Sequence, residues 1–485
     1  MVVAGPALGH AVAVGDWPLA MRAVRVLERA DALLPDARFL LAADAFRARD
    51  WRAAAAQVDA IERDRLFAFT VPVLRAWIAL GSGRGDPLAP LAVAQGEMAE
   101  VYVAEHRALI RLATGRAGAD ELDGLIAGAG PRAMRVRIAA AATLARRDRA
   151  AALALLDGNA GPIRAARALV EARRPVSGAI LTPQEGMAEL LLRLAVDLNA
   201  PELTSVAATF ARIATWLAPG NGEAWIVAAD YAGRQDRHAD AVAMLAYVRA
   251  GDPYAEAAFD RRVRMLIDGN EKDEALRQAE GAVAAGGSSA DQLRLGEVLM
   301  SMDRPAEAAA AFGRAISLAG DGPQAYPEWA LWLMRGGAHD QADEWPEARA
   351  ALERAYTLAP DQPLVLNYLG YAQLARRENL IEAERLIREA HARAPDNAAI
   401  TDSLGWALFL KGEHDEGIAL LERAVEGEPA DVEINEHLGD AYFTVGRRAE
   451  ARFAWRAARV YAEGADAARL DAKLAGGMTP ELAAR

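Results

Sequence analysis

The feature that most constrains the fold of this chain is a repeat with a period of about 34 residues. Three stretches in the C-terminal part share a Leu-Gly pair, and the glycines of these pairs are Gly370, Gly405 and Gly439. The two intervals between these glycines are nearly equal. A fixed period of this length is typical of proteins that stack copies of one small supersecondary unit. The chain is therefore predicted to fold as an array of repeats.

Small residues recur at two further positions of each repeat. An alanine or glycine follows each glycine by about one third of the period, and an alanine follows it by slightly more than half of the period. Two helices whose axes lie about 8–10 Å apart need small side chains where they cross. The spacing therefore predicts that each repeat is a pair of antiparallel helices. The positions are Ala383, Gly417 and Ala451 at the first offset, and Ala390, Ala424 and Ala458 at the second.

The same pattern continues toward the N-terminus with less regularity. Gly336 lies one period before Gly370, and Gly296 lies slightly more than one period before Gly336. Two weaker units carry Ala229 and Val263 at the position of the repeat glycine. Three clear copies, two upstream copies and two weaker ones make seven repeats.

From about residue 200 to residue 464 the chain resembles the tetratricopeptide repeat family, in its bacterial form. In that family each repeat is a helical hairpin of about 34 residues, with a large residue at position 4, Leu-Gly at positions 7 and 8, and proline near position 32. The resemblance implies an all-α fold, an α-solenoid that winds as a right-handed superhelix. The matching residues are Trp225, Phe259 and Trp332 at position 4, and Pro253, Pro360, Pro395 and Pro429 at or beside position 32.

Three regions are predicted along the chain. The stretch 173–186 is rich in proline, glycine and hydroxyl residues, which indicates either a domain boundary or a long loop between helices. The predicted regions are diverged helical repeats at 1–172, the tetratricopeptide repeat array at 187–464, and a C-terminal capping helix with a tail at 465–485.

Two Asp-Trp pairs in the first region stand one repeat period apart. They are Asp16-Trp17 and Asp50-Trp51, and each pair precedes an alanine-rich segment with helical periodicity. We therefore predict two further helical hairpins near the N-terminus.

Composition and charge exclude several classes of function. The net charge of -13 disfavours a nucleic-acid groove, which needs a basic surface. The absence of cysteine excludes disulfides and thiolate chemistry. No apolar run reaches the roughly 18 residues that a membrane span needs. The chain begins without the basic segment of a signal peptide, which indicates a cytoplasmic protein; the periplasm or cell envelope is the alternative if the true N-terminus is missing.

No pattern of residues predicts catalysis, a metal ion or a cofactor. The seven histidines are scattered, and none stands three to five residues from another, as a metal pair on a helix requires. The glycine-rich segment Gly81–Gly85 follows a helical pattern and lacks the Lys-Ser/Thr of a phosphate loop, so a plain loop is predicted. The sequence therefore predicts a protein that is not an enzyme.

The resemblance implies a peptide-binding groove. In similar proteins, positions 2, 5, 9 and 12 of the first helix of each hairpin line a concave surface. Here those positions are aromatic and acidic, which favours a basic or neutral protein segment with apolar anchors; the alternative for Trp406 and Phe409 is packing between repeats. The set lacks the lysine and arginine that clamp a peptide carboxylate in the family. The candidate groove residues are Asn367, Tyr371, Asp402, Trp406, Phe409, Glu433, Glu436, Asp440 and Phe443.

The function predicted from these patterns is a non-catalytic scaffold or adaptor that binds a partner protein in the groove. One alternative, from resemblance, is a cell-envelope adaptor that delivers substrates to a periplasmic protease or assembly complex. The other is the repeat region of an enzyme with an unrecognised N-terminal active site. A sheet or a deep pocket with converging polar groups within 70–200 would favour the enzyme.

Overall fold

The computed structural model describes residues 3–94, 96–116, 132–320, 326–479 and 482–484. These residues form α-helices joined by turns, two short 3-10 helices and, within the described ranges, no β-strand. The all-α prediction is confirmed. The α-helices are α1 Ala4–Val14, α2 Trp17–Arg29, α3 Arg38–Ala48, α4 Trp51–Asp64, α5 Val71–Ser82, α6 Ala89–Ala92, α7 Glu97–Ala113, α8 Ala133–Leu144, α9 Arg149–Leu155, α10 Gly161–Glu171, α11 Pro183–Asp197, α12 Thr204–Leu217, α13 Gly222–Gly233, α14 His238–Leu245, α15 Ala255–Asp268, α16 Lys272–Ala285, α17 Ser289–Ser301, α18 Pro305–Leu318, α19 Glu328–Gln341, α20 Trp345–Leu358, α21 Pro363–Ala375, α22 Leu380–Arg393, α23 Ala398–Lys411, α24 His414–Gly427, α25 Val432–Thr444, α26 Arg448–Tyr461 and α27 Gly464–Gly476.

The chain divides into two compact units, residues 1–281 and residues 282–485. The division falls within helix α16. The stretch 173–186, where the sequence indicates a boundary or a loop, lies inside the first unit as the connection between α10 and α11. Thr182 ends this connection with a capping box, in which its hydroxyl accepts from the Glu185 amide and the Glu185 carboxylate accepts from the Thr182 amide.

The second unit contains five helical hairpins, from α17/α18 to α25/α26, followed by the single helix α27. Capping side chains and prolines determine where several of these helices begin. The side chains of Asn397 and Asp431 accept hydrogen bonds from backbone amides three residues further on and cap α23 and α25. Pro305 and Pro363 stand at the first position of their helices, where a missing N–H costs nothing.

Glycines of the repeat lie where the two helices of a hairpin cross. A Cβ atom added at Gly439 would overlap the ring of Trp455, and one added at Gly296 would overlap the ring of Phe312. In both hairpins the glycine of the first helix meets a large residue at the same position of the second helix. The prediction that small side chains mark the helix crossings is confirmed at these positions.

The core of the first unit contains a cluster of three phenylalanine rings. Phe39, Phe67 and Phe210 contact one another edge to face, with ring centres 5.1 to 5.5 Å apart. This cluster joins helices α3 and α12, which are far apart in the sequence.

The two Asp-Trp pairs lie at the turns of the first two hairpins. The side chains of Asp16 and Asp50 each accept a hydrogen bond of 3.0 Å from an amide three residues later, so each aspartate caps the second helix of its hairpin. None of the helices in the described part of the chain combines the length and the low polarity needed to cross a bilayer.

Candidate functional site

The candidate groove residues lie in the second unit, on the first helices of its last three hairpins. Asn367 and Tyr371 are on α21; the remaining seven are on α23 and α25. Side chains three and four positions apart share one face of a helix. We call this surface the inner face, and it comprises Asn367, Tyr371, Asp402, Trp406, Phe409, Glu433, Glu436, Asp440 and Phe443.

Burial divides the inner face into two kinds of residue. Glu433 is exposed, and Asn367, Tyr371 and Phe443 are partly buried. The other five are buried, and they are Asp402, Trp406, Phe409, Glu436 and Asp440. The first group is therefore accessible to a partner, whereas the second mainly contacts other parts of the chain.

His437 is not among the candidate residues, but its side chain contacts several of them. Its Nδ1 lies 2.8 Å from Asp402 Oδ2, and its Nε2 lies 3.2 Å from the hydroxyl of Tyr371. The Tyr371 hydroxyl donates to Glu433 Oε1 at 2.8 Å. The ring of His437 also stacks on Trp406, with the centres 4.5 Å apart. One imidazole thus links three helices.

The charge of His437 is set by its neighbours. Burial opposes the charged imidazolium, but the Asp402 carboxylate outweighs it and, with Glu433 and Asp440, raises the pKa of His437 to about 9. At neutral pH both ring nitrogens therefore donate, Nδ1–H to Asp402 and Nε2–H to Tyr371. Protonated His437 neutralises the Asp402 carboxylate inside the chain.

Trp406 and Phe409 lie in the interior of the array. Their side chains are 4% and 6% exposed, and the rings stack with centres 5.6 Å apart. The Nε1 of Trp406 is buried and has no hydrogen-bond partner among the described residues. The Trp406 ring stacks on His437 of the next hairpin, whereas the Phe409 ring contacts Trp406 and His414 of its own hairpin.

Helix α27 supplies a second set of contacts that the sequence does not predict. Lys473 is fully buried, and its Nζ donates to Glu436 at 2.6 Å and to both Asp440 oxygens at 2.8 and 2.7 Å. Arg469 donates two hydrogen bonds to Glu436, of 2.8 and 2.6 Å. Trp455 Nε1 donates to Asp440 at 2.8 Å. Two of the acids predicted for the groove are therefore neutralised by basic residues of the same chain.

These basic partners outweigh the effect of burial on Glu436. Burial raises the pKa of its carboxyl group, but the hydrogen bonds from Arg469 and Lys473 lower it further, and the pKa lies below its ordinary value. A signal for this contact exists in the sequence. Arg469 and Lys473 stand four residues apart on one face of a helix and lie 33 and 37 residues after Glu436, close to one repeat period.

A cavity of about 440 Å³ opens on the inner face. Its wall includes Tyr371, Glu433, His437, Arg469 and Ala484. Among the described residues, no arginine or lysine lies within ion-pair distance of Glu433. This carboxylate is therefore the acidic group of the wall that is available to a partner.

The first unit contains a separate group of charges, which we call the charge cluster: the buried Glu105, Arg132, Arg135 and Glu189, and the partly buried Glu223. Arg132 donates to Glu105 at 2.5 and 2.7 Å and to Glu189 at 2.6 Å, and Arg135 donates to Glu189 at 2.7 Å. Glu223 lies 3.0 Å from Arg135 Nε without the alignment of a hydrogen bond. The charges alternate in sign along the cluster, an arrangement typical of a structural network.

The described parts of 70–200 consist of helices and the loops between them, without a strand, and within the described ranges no three histidine, aspartate or glutamate side chains are grouped so as to hold a metal ion. The arrangement of the inner face is instead one of stacked rings, ion pairs and one open cavity, which suits non-covalent contact with another molecule.

Comparisons with known proteins find tetratricopeptide repeat proteins. A family model for the tetratricopeptide repeat matches residues 293–363 and 369–432. A thermophilic TPR protein of Thermus thermophilus is 23% identical, with 39% of this chain and 98% of that chain covered and a TM-score of 0.34. A tetratricopeptide repeat protein of Parabacteroides merdae is 13% identical, with 53% and 99% covered and a TM-score of 0.43. The Cut9–Hcn1 hetero-tetramer of the APC/C is 14% identical, with 98% and 95% covered and a TM-score of 0.42. No curated protein matches the chain.

The helical hairpins and their crossings define the class: this is an all-α helical-repeat protein. Within that class, the family model for the tetratricopeptide repeat matches residues 293–363 and 369–432, which lie in the second unit.

Proposed function

We propose that the chain is a protein–protein interaction scaffold that holds a segment of a partner protein at the inner face of its last three hairpins. The observation that carries the proposal is the cavity of about 440 Å³ at this face, bordered by the exposed Glu433 and the partly buried Tyr371. Tetratricopeptide repeats supply rigid helices on which such a surface is presented.

The charges around the cavity indicate the chemistry of the partner segment. Glu436 and Asp440 are paired with Lys473, and Asp402 is paired with His437. Arg469 contacts both Glu436 and Asp466. Glu433 is left to attract a positive group.

We therefore propose a basic or neutral segment as the ligand. Its apolar side chains would pack against the partly buried rings of Tyr371 and Phe443, because aromatic groups provide a large contact area at low entropic cost. Trp406 and Phe409 contribute by positioning His437 and the helices, since both rings are buried.

The proposal is tested with two fluorescein-labelled nonapeptides, one of repeated Lys-Leu-Ser and one of repeated Glu-Leu-Ser. Fluorescence anisotropy with the full chain should show that the basic peptide binds roughly tenfold more tightly than the acidic one, and that added salt weakens the binding. Glu433→Lys should reduce affinity for the basic peptide by roughly tenfold, because it reverses the available charge.

The matched control is Glu426→Lys. Glu426 is an exposed residue of α24 outside the inner face, so this variant changes the net charge by the same amount. It should bind as the unmodified chain does. Equal weakening by both variants would assign the effect to net charge and contradict the proposed site, and so would tighter binding of the acidic peptide.

A cell-envelope adaptor for a periplasmic protease and the repeat region of an enzyme are the two other functions left open by the sequence. No contact among the described residues favours either of them over the scaffold.

A further inference from the structure

A second cavity, of about 460 Å³, lies within the first unit. It is bordered by the turn after α1, the end of α3, the end of α12, and residues of α13 and α14. We call it the aromatic cavity because four aromatic side chains line it: Trp17, Trp216, Trp225 and Tyr247. Its volume lies within the range of about 300–1,000 Å³ that is usual for small-molecule sites.

The aromatic walls consist of two stacked pairs. The rings of Trp17 and Trp216 are 4.6 Å apart and inclined by 14°, and those of Trp225 and Tyr247 are 4.2 Å apart and inclined by 11°. Trp17 belongs to the first of the two Asp-Trp pairs in the sequence. The tryptophan of the second pair, Trp51, instead packs against Phe46 in the core, with ring centres 5.6 Å apart. The cavity is thus a local departure from the repeat.

Arg212 places a buried positive charge on the cavity wall. The residue is only 6% exposed, and its guanidinium lies 5.8 and 5.4 Å from the ring centres of Trp17 and Trp225. Nε donates to the Val12 carbonyl at 3.2 Å, and Nη1 donates to the Thr215 hydroxyl at 3.4 Å. Nη2 has no hydrogen-bond partner in the described part of the chain.

The local backbone makes room for this guanidinium. Gly15 has a positive φ of 81°, and a Cβ atom added there would lie 2.5 Å from Arg212 Nη2. Any other residue at this position would be strained and would press against the charged group. The glycine in this turn therefore leaves the space that the Arg212 guanidinium occupies at the cavity wall.

The buried charge of Arg212 lacks a negative partner. No carboxylate of the described residues lies within 4 Å of it, and burial lowers its pKa to about 10, so the group is still charged at neutral pH. A buried charge without a counter-ion is costly, and contacts with aromatic rings offset only part of that cost. An anion in the cavity would offset more of it.

The charges at the cavity wall favour an anion. Two guanidinium groups, of Arg47 and Arg212, and one carboxylate, of Asp240, line the cavity. Asp240 is paired with Arg237 at 2.5 Å. The lining thus carries one net positive charge.

We propose that the aromatic cavity binds a small organic acid, with its carboxylate on the Arg212 guanidinium and its apolar or aromatic part against the indole rings. Such a carboxylate belongs either to a free acid or to the C-terminal residue of a peptide. The site is independent of the inner face and of the function proposed for it.

The test uses the full chain with N-acetylphenylalanine and its neutral analogue, N-acetylphenylalanine amide. Isothermal titration calorimetry and quenching of tryptophan fluorescence should detect binding of the acid, with at least tenfold weaker binding of the amide, because only the acid pairs with Arg212. A heptapeptide that ends in phenylalanine distinguishes the sources: tighter binding than the free acid indicates a peptide terminus, and no binding indicates a free acid.

Two variants locate the binding. Arg212→Gln should weaken binding of the acid by at least tenfold. Because that residue is buried, Ala243→Phe is the second variant: Ala243 is exposed on α14 and lines the cavity, so a phenyl ring there should block the cavity without disturbing the core. Ala239→Phe, at an exposed position of the same helix outside the cavity lining, is the matched control and should leave binding unchanged.

Equal binding of the acid and the amide, or no binding of any of the three probes at millimolar concentration, would overturn the proposal. Binding that survives Ala243→Phe unchanged would also overturn it, since the acid would then lie elsewhere.

Discussion

The two units of the chain bury charged side chains in different ways. In the second unit the partners are about one repeat period apart: Asp402 and His437 are separated by 35 residues, and Asp440 and Lys473 by 33. In the charge cluster of the first unit the separations follow no period, since Arg132 is 27 residues from Glu105 and 57 from Glu189.

The close contacts of glycine show the same difference. In the second unit Gly439 on α25 meets Trp455 on α26, the other helix of the same hairpin. In the first unit Gly186 on α11 lies against the ring of Trp77 on α5, a helix from a distant part of the sequence. A regular array brings equivalent positions of neighbouring repeats together, so contacting residues lie about one period apart. Irregular helices create contacts that no single period describes.

The largest expected effect is on the periodic ion pairs of the second unit. Lys473→Met removes the cation from two buried carboxylates and should lower the free energy of unfolding by about 3–5 kcal/mol. Urea denaturation, monitored by circular dichroism, measures this free energy. Lys411 is an exposed lysine paired with surface glutamates, so Lys411→Met should change the free energy of unfolding far less than Lys473→Met does. Similar effects of both substitutions would show that the Lys473 pairs contribute no more than surface pairs do.

The pH dependence of stability should distinguish the two units. The pKa of His437 is raised from about 6.5 in the unfolded chain to about 9 in the fold. The stabilisation is therefore complete below pH 6.5 and is lost as the pH rises through 9, by about 3 kcal/mol at most. His437→Gln should flatten the stability profile in this window. A profile that keeps its slope between pH 6.5 and 9 in the variant would assign the effect to other groups.

The stability of the first unit should change with pH at lower values than that of the second unit. Burial raises the pKa of Glu223 to about 7, against the opposing charge of Arg135. Since the protonated acid is the form that the fold favours, this contribution is lost as the pH rises from about 4.5 to 7. Its side chain is 22% exposed, which reduces the expected change to about 1–2 kcal/mol. Glu223→Gln should abolish the change in the free energy of unfolding between pH 4.5 and 7. It should leave the change between pH 6.5 and 9, which comes from His437.

The last comparison concerns glycine at helix crossings. Gly439→Ala should destabilise the chain by about 1–3 kcal/mol, because a Cβ atom overlaps the buried ring of Trp455. Gly281→Ala is the control: Gly281 is in the interior of a helix with no atom within 4 Å of an added Cβ, so alanine should stabilise by about 0.5–1 kcal/mol. Thermal melting of both variants measures the difference. A stability change of the same sign in both would contradict the role of Gly439 at the crossing of two helices.

The shared helical face of the candidate groove residues was predictable from the sequence, but the state of charge of the inner face was not. Helical spacing places Tyr371, Asp402 and Glu433 on one face, and the structure joins them through His437. The burial of Trp406 and Phe409 depends on how closely neighbouring hairpins pack, which spacing does not reveal. The role of Lys473 required knowledge of where α27 lies, because a polar helix pattern alone does not show which of its faces is covered.

The aromatic cavity was not predictable from the sequence pattern. Trp17 and Trp51 stand in the same local motif, yet one lines a cavity and the other packs in the core. The surroundings of Trp17 include Arg212, from a remote part of the sequence, whereas Trp51 packs on Phe46, which is nearby in the chain.

The amino-acid sequence alone specified helical hairpins, their repeat period and the small residues at their crossings, because these depend on local propensities and on a spacing that recurs in every copy. The tertiary structure decided which charges are neutralised, which aromatic rings are buried and where cavities remain. Those properties depend on the distances between helices that are remote in the chain, and electrostatic and packing energies change steeply with such distances.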